Sequence, residues 1–290
     1  MREPASSKSS SALHEKQCKA LLQLLADDDP WVFQEVRRKL FALGDSVTTW
    51  LRPHLLSDDP VLRRHAREII SYFGRQEKDT AFLTFCVTQG EDFDLEQALW
   101  LLAATCFDGI NASGYRALLD SYASDLREQI NPAAPAEDIL AACNHFLFDR
   151  LGFRGNEEHQ HDPESAYLNR VIDRRTGSPV SLCSLYLLIA KRLRLPVTGI
   201  SLPGHFLLRF QNAREEIYVD AFHRGKLLTK IDCLRYLAQT QHAPHEGQVA
   251  PVSPRRIVLR LCAALHQIYT QRPDSVEAPR VQRYVIALAK

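Results

Sequence analysis

Apolar residues recur at helical spacing through the first half of the chain. Val32, Val36, Leu40 and Leu43 share one helical face, and Leu62, Ala66, Ile69, Ile70 and Phe73 share another. Each stretch is preceded by Asp-Asp-Pro and followed by glycine, so residues 28–44 match residues 58–74 at an offset of 30. Asp ahead of Pro suits a first helical turn, and Gly44 and Gly74 suit the position just past a helix end. Further stripes follow at Leu95, Ala98, Leu99 and Leu102, and at Leu118, Leu119, Tyr122, Leu126 and Ile130. The Pro-rich segment 131–135 breaks the pattern, and a helix over 136–150 carries Ile139, Leu140, Cys143, Phe146 and Leu147.

The character changes near residue 151, where Gly152, Gly155 and Asn156 interrupt the helices. A helix is predicted over 163–174, a break at 176–179, and a helix over 181–194 capped by Ser181. Lys191, Arg192 and Arg194 then place cations in its last turn, where they suit the helix dipole. After Pro196 the apolar period switches to two. Residues 197–202, 205–210 and 216–221 read as short strands separated by Pro203-Gly204 and by 211–214. Helices resume over 230–239 and 254–270, with a loop over 240–253 and a short helix over 281–289. The fold class is α+β with a helical majority.

Composition narrows the function classes. The 290 residues allow one large domain or two modest ones. Thirty-six Lys and Arg against thirty-five Asp and Glu leave a net charge of +1, which argues against nucleic acid as a partner. No apolar run approaches the roughly 18 residues of a membrane span. Residues 1–11 are polar, read as a disordered tail, and contain no apolar stretch of a secretory signal. The seven cysteines are widely spaced and form no Cys-x-x-Cys pair, so metal-ribbon and disulfide frameworks are not expected. Most read as small core residues of a reduced, cytoplasmic protein.

Three residues stand where chemistry needs them. Cys183 falls in the first turn of the 181–194 helix, where unpaired N–H groups favour a thiolate. His205 opens one strand pattern and Asp220 ends the next, so adjacent antiparallel strands can pair them. Cys183, His205 and Asp220 then supply a nucleophile, a base and an orienting carboxylate. Each has a structural reading beside this one: a packed thiol, a hydrogen-bonding histidine at a strand start, and a turn residue ahead of Ala221. His159, His161 and Asp162 can offer metal ligands together with His205. Asp162-Pro163 more simply starts a helix, so no metal and no cofactor is expected. Arg174 and Arg175 read as a solvated helix end rather than a grip on an acidic partner, and His242 and His245 fall in the 240–253 loop.

Several motifs resemble a known group. They are Phe153-Arg154-Gly155-Asn156, Asp162 through Asn169, Arg174 through Leu182, Leu195-Pro196-Val197 and, most tellingly, Leu202-Pro203-Gly204-His205-Phe206-Leu207-Leu208-Arg209. Together they resemble the SirB-one family of bacterial proteins, over roughly residues 94–270. The resemblance implies a transglutaminase-like or papain-like core, a helix plus an antiparallel sheet, in which His205 and Asp220 match the family's His and Asp. The nucleophile position it implies falls at Pro179, four residues before Cys183. Residues 12–92 read as a helical arm, resembling HEAT-type repeats or equally an ordinary helical bundle, and 93–290 as the transglutaminase-like domain. Two functions follow as expectations: a degenerate, non-catalytic protein-interaction or regulatory module, and a Cys-His-Asp enzyme of acyl transfer or amide hydrolysis. The first is favoured, with a protein as partner, no membrane and no nucleic acid.

Overall fold

The computed structural model describes residues 19–157, 161–240, 249–273 and 275–290. The tail over 1–11, Cys18, His159, His242 and His245 lie outside the described residues. The chain divides into two units, Met1–Thr80 and Ala81–Lys290.

In the smaller unit, α1 (Pro30–Leu43) starts as its sequence dictates. Asp29 accepts the Trp31 N–H at 2.7 Å, Pro30 fills the first helical position, and Gly44 ends the helix at φ +80°, a conformation that costs a glycine little. A short α2 (Val47–Leu51) follows. The next helix, α3 (Pro60–Thr88), opens the same way, with Asp59 accepting from Val61 and Leu62 at 2.8 and 3.2 Å, and its residues from Ala81 on belong to the larger unit. It does not stop at Gly74, as the sequence suggested. Strong helix formers follow that glycine, and their propensity outweighs its cost of about 1 kcal/mol against alanine. Leu25, Phe33, Val36, Leu40, Ala66, Ile69 and Phe73 form this unit's core, and His65 stacks on Phe33 while its Nδ1 meets the Leu25 carbonyl at 2.8 Å.

In the larger unit, α4 (Leu95–Ala104), α5 (Ala112–Arg127) and α6 (Ala136–Asn144) precede a π-helical turn at His145–Arg150. Strand β1 (Arg154–Gly155) pairs in parallel with β2 (Thr176–Gly177). Between them, the helix expected over 163–174 is broken at Tyr167, giving a 3-10 turn at Pro163–Ala166 and α7 (Leu168–Arg174). Tyr167 turns extended (φ −93°, ψ 125°) and buries its ring edge-on against Phe107. Next come α8 (Pro179–Leu193), β3 (Val197–Leu202), β4 (His205–Gln211), β5 (Glu216–Asp220) and β6 (Lys226–Leu228). The chain ends with α9 (Lys230–Gln239), β7 (Pro251–Val252), α10 (Pro254–Thr270) and α11 (Glu277–Ala289).

The sheet is antiparallel in the order β6-β5-β4-β3-β7. Its alternating residues divide between two cores. Phe206, Leu208, Phe210 and Val219 join Leu182, Cys183, Leu185, Tyr186 and Ile189 of α8 in the large core, while Leu207 and Tyr218 join Cys233 and Leu237 of α9. Helices therefore cover both faces. Among the described residues, no helix is long and apolar enough to cross a membrane.

The large core also takes in Phe82, Phe85 and Cys86. A chain of residues 81–290 is therefore expected to unfold cooperatively, whereas one of residues 93–290 should be several kcal/mol less stable, since one buried phenylalanine is worth about 3–5 kcal/mol. Urea unfolding of the two chains checks this, and equal midpoints would contradict it.

Candidate functional site

His205 owes its place to a two-residue turn. Leu202 and His205 pair across Pro203-Gly204, and Gly204 adopts φ +72°, which the turn requires and a side chain would resist. The Tyr236 hydroxyl donates to the Pro203 carbonyl at 2.9 Å and fixes the turn against α9. On the neighbouring strand, the pairing of Leu208 with Val219 sets Asp220 diagonally from His205 on the same face. His205 Nε2 donates to Asp220 Oδ2 at 2.8 Å.

Asp220 also closes an Asx turn. Its Oδ1 accepts the backbone N–H groups of Phe222 and His223 at 3.1 and 3.2 Å. That turn swings the His223 ring back, so His223 Nδ1 donates to the same Oδ2 at 2.8 Å. Asp220 is buried, which alone would push its carboxyl up, yet the hydrogen bonds and charge of His205 and then His223 outweigh burial and hold it below its ordinary value of 3.8. Four donors meet on one carboxylate, which ties both imidazoles to Asp220. With Nε2 committed to Asp220, Nδ1 is the His205 nitrogen left for a substrate or a nucleophile.

These groups open on a cavity of about 440 Å³ lined by His161, Ser178, Pro179, His205, Phe222 and His223, among others. A second cleft of about 470 Å³ shares Asn156, Phe222 and His223 and extends to Arg154 and Arg224. Part of the cavity wall is a hydrogen-bonded knot. Asn156 donates to Ser165 Oγ at 2.7 Å, and the Ser165 carbonyl accepts from Ser178 N at 3.0 Å and Ser181 Oγ at 2.6 Å.

Cys183 stands elsewhere. The cap of α8 is Ser178, whose side chain accepts the Ser181 N–H at 3.2 Å, and not Ser181 as the sequence suggested. Pro179 is then the first helical residue and Cys183 the fifth, past the unpaired N–H groups of the first turn. The thiol is 0% exposed, packs in the large core, and points its Sγ at the Phe206 carbonyl, 3.5 Å away. Burial first, and the Asp220 charge second, push its pKa well above the ordinary value, while the Ala221 N–H lowers it only in part. Among the described residues, no hydrogen bond joins Cys183 to His205, and no cysteine lines the cavity.

The other candidates sort as follows. Asp162 caps the 3-10 turn through the Glu164 N–H and pairs with Arg174 at 2.9 Å, so its two oxygens serve structure. Arg174 also pairs with Glu164 at 2.6 Å, and Arg175 lies over the Phe153 and Tyr122 rings. His223, which the sequence reading passed over, shares the Asp220 carboxylate. Its one signal is the spacing Asp-x-x-His at a strand end.

A buried helix packed on an antiparallel sheet, with a His–Asp pair where the sheet meets the helix start, is the frame of a transglutaminase-like core. Residues 113–263 match the Transglutaminase-like superfamily, and the chain belongs to it. It is also similar to the UPF0162 proteins: 33% identical to that of Xylella fastidiosa strain Temecula1 over 205 residues, 68% of this chain and 73% of the relative. The UPF0162 protein of Pseudomonas aeruginosa is 28% identical over 206 residues, 70% of this chain and 74% of its own length. F-box only protein 21 of Mus musculus is 38% identical over 119 residues, 38% of this chain and 19% of that protein. No solved structure matches the chain.

Proposed function

We propose that the transglutaminase-like core is a non-catalytic binding or regulatory module for a protein partner, in which the His205–Asp220 pair persists without a working nucleophile. The carrying observation is Cys183, fully buried, bonded to a main-chain carbonyl, and pushed toward the neutral thiol. The position that the SirB-one resemblance assigns to the nucleophile holds Pro179, which has no reactive group. Two cavities sharing Asn156, Phe222 and His223 give room beside the pair for a segment of a partner chain. A 119-residue stretch similar to 19% of F-box only protein 21 fits a transferable module. The smaller unit, with its paired Asp-Asp-Pro starts, serves in this reading as a helical-repeat arm. The described cysteines form no disulfide, which suits a cytoplasmic protein.

A second reading, a thiol-dependent acyl transferase or amide hydrolase using Cys183, His205 and Asp220, draws on the intact His–Asp pair alone. Native alkylation with iodoacetamide near pH 6, followed by peptide mapping, separates the two. Among the described cysteines, the module reading expects the label on exposed Cys106 and none on Cys183 until the chain unfolds. Selective labelling of Cys183, slowed in His205→Ala, would restore the enzyme.

A further inference from the structure

We propose that His205, Asp220 and His223 form a binding site for a divalent transition cation, with zinc the best match. The site goes beyond the module reading and rests on these three side chains, independently of Cys183. His205 Nε2, Asp220 Oδ2 and His223 Nδ1 all lie within 4.8 Å of one another. Both ring nitrogens meet the same oxygen at 2.8 Å, so two N–H groups now occupy the space between the three ligand atoms. Zinc bonds of about 2.0–2.2 Å to nitrogen and oxygen put tetrahedral ligands about 3.3 Å apart. The two nitrogen–oxygen separations need to open by only about half an ångström to admit the ion. His223 has that freedom, since its side chain is 54% exposed.

Binding needs no further reactant. Each imidazole that now donates to Asp220 moves that proton to its other ring nitrogen and presents the freed lone pair, and the Asp220 carboxylate supplies the oxygen. The Phe222 and His223 N–H groups hold Asp220 Oδ1, which leaves Oδ2 aimed at the ion, the outer-shell support that metal-binding carboxylates carry. Two nitrogens and one oxygen favour zinc over magnesium or calcium, which take oxygen ligands. Three protein ligands leave a fourth position, and the cavity of about 440 Å³ lies beside it. Asp162 does not fill that position, because its oxygens hold the Glu164 N–H and Arg174.

The test uses the full chain, free of any tag, stripped with EDTA and titrated calorimetrically with zinc chloride and separately with magnesium chloride. One zinc per chain at micromolar affinity or tighter is expected, with no comparable magnesium binding. His223→Ala, a half-exposed position that spares the fold, should weaken zinc at least about tenfold, by loss of one of three ligands. Zinc should raise the melting temperature of the parent chain and not of His223→Ala. His145→Ala removes a surface histidine paired with Asp149 and should change nothing. Absence of stoichiometric binding, unchanged affinity in His223→Ala, or loss of binding in His145→Ala would each overturn the proposal. Alkylation of Cys183 reads the module proposal separately.

Discussion

Replacing Arg255 with methionine is expected to lower folding stability by about 2–4 kcal/mol, because several buried carbonyls lose their donor at once. Arg255 stands in the first turn of α10, and its side chain is almost wholly buried. One guanidinium nitrogen donates to the Cys86 and Gln89 carbonyls at 2.7 and 3.2 Å, where α3 ends. Another donates to Ala287 at 2.7 Å, and Nε to Leu288 at 2.9 Å, where α11 ends. A single cation thus caps two helix C-termini, satisfying carbonyls that no intrahelical N–H can reach and offsetting two negative dipole ends. Methionine matches the length of the stem and supplies no donor. Urea unfolding should show a midpoint lower by about 1 M at unchanged slope. A shift below a quarter of that would show that water satisfies those carbonyls, and that the cap carries little energy.

Asp220→Ala is expected to cost about 2–3 kcal/mol at neutral pH, since it strands the Phe222 and His223 N–H groups and two imidazoles together. The cost should depend on pH with a definite sign. The folded carboxyl lies below its ordinary value of 3.8, so folding favours the ionised form. That contribution is fully present above the ordinary value and is lost as pH falls through the folded one. The gap in melting temperature between parent and Asp220→Ala should therefore be widest at neutral pH and shrink below pH 3.8. A gap that stays constant into acid would show that Asp220 matters through packing and not through its charge.

The sheet was the most legible part of the sequence, for a physical reason. β3, β4 and β5 have both faces engaged by different cores, and Pro203-Gly204 punctuates them, so their bounds fell within a residue of the observed ones. Edge pairings were invisible. β7 and the β1–β2 pair span two residues per strand, too few for any alternation to show. The start of α8 was misread because Ser178 and Ser181 are both competent caps, and only the Ser165 carbonyl, which takes the Ser181 hydroxyl, decides between them. That choice matters most at the site. With the helix starting at Pro179, Cys183 leaves the first turn and enters the core, whereas a start at Ser181 would have exposed it to the dipole. His223 was missed because its role arises from an Asx turn, a backbone geometry that strand periodicity does not report.

The central claim is that Cys183 is a core residue, and the ratio of its alkylation rates in unfolded and native protein tests it most directly. Mass spectrometry of the Cys183 peptide over time at pH 8 supplies both rates, with iodoacetamide added to the native chain and to the chain in concentrated urea. A buried thiol reacts only when the protein opens, so the native rate should fall below the unfolded rate by at least about a thousandfold. His205→Ala should not slow the native rate further. A native rate equal to or faster than the unfolded one, and dependent on His205, would contradict the account and make Cys183 a nucleophile.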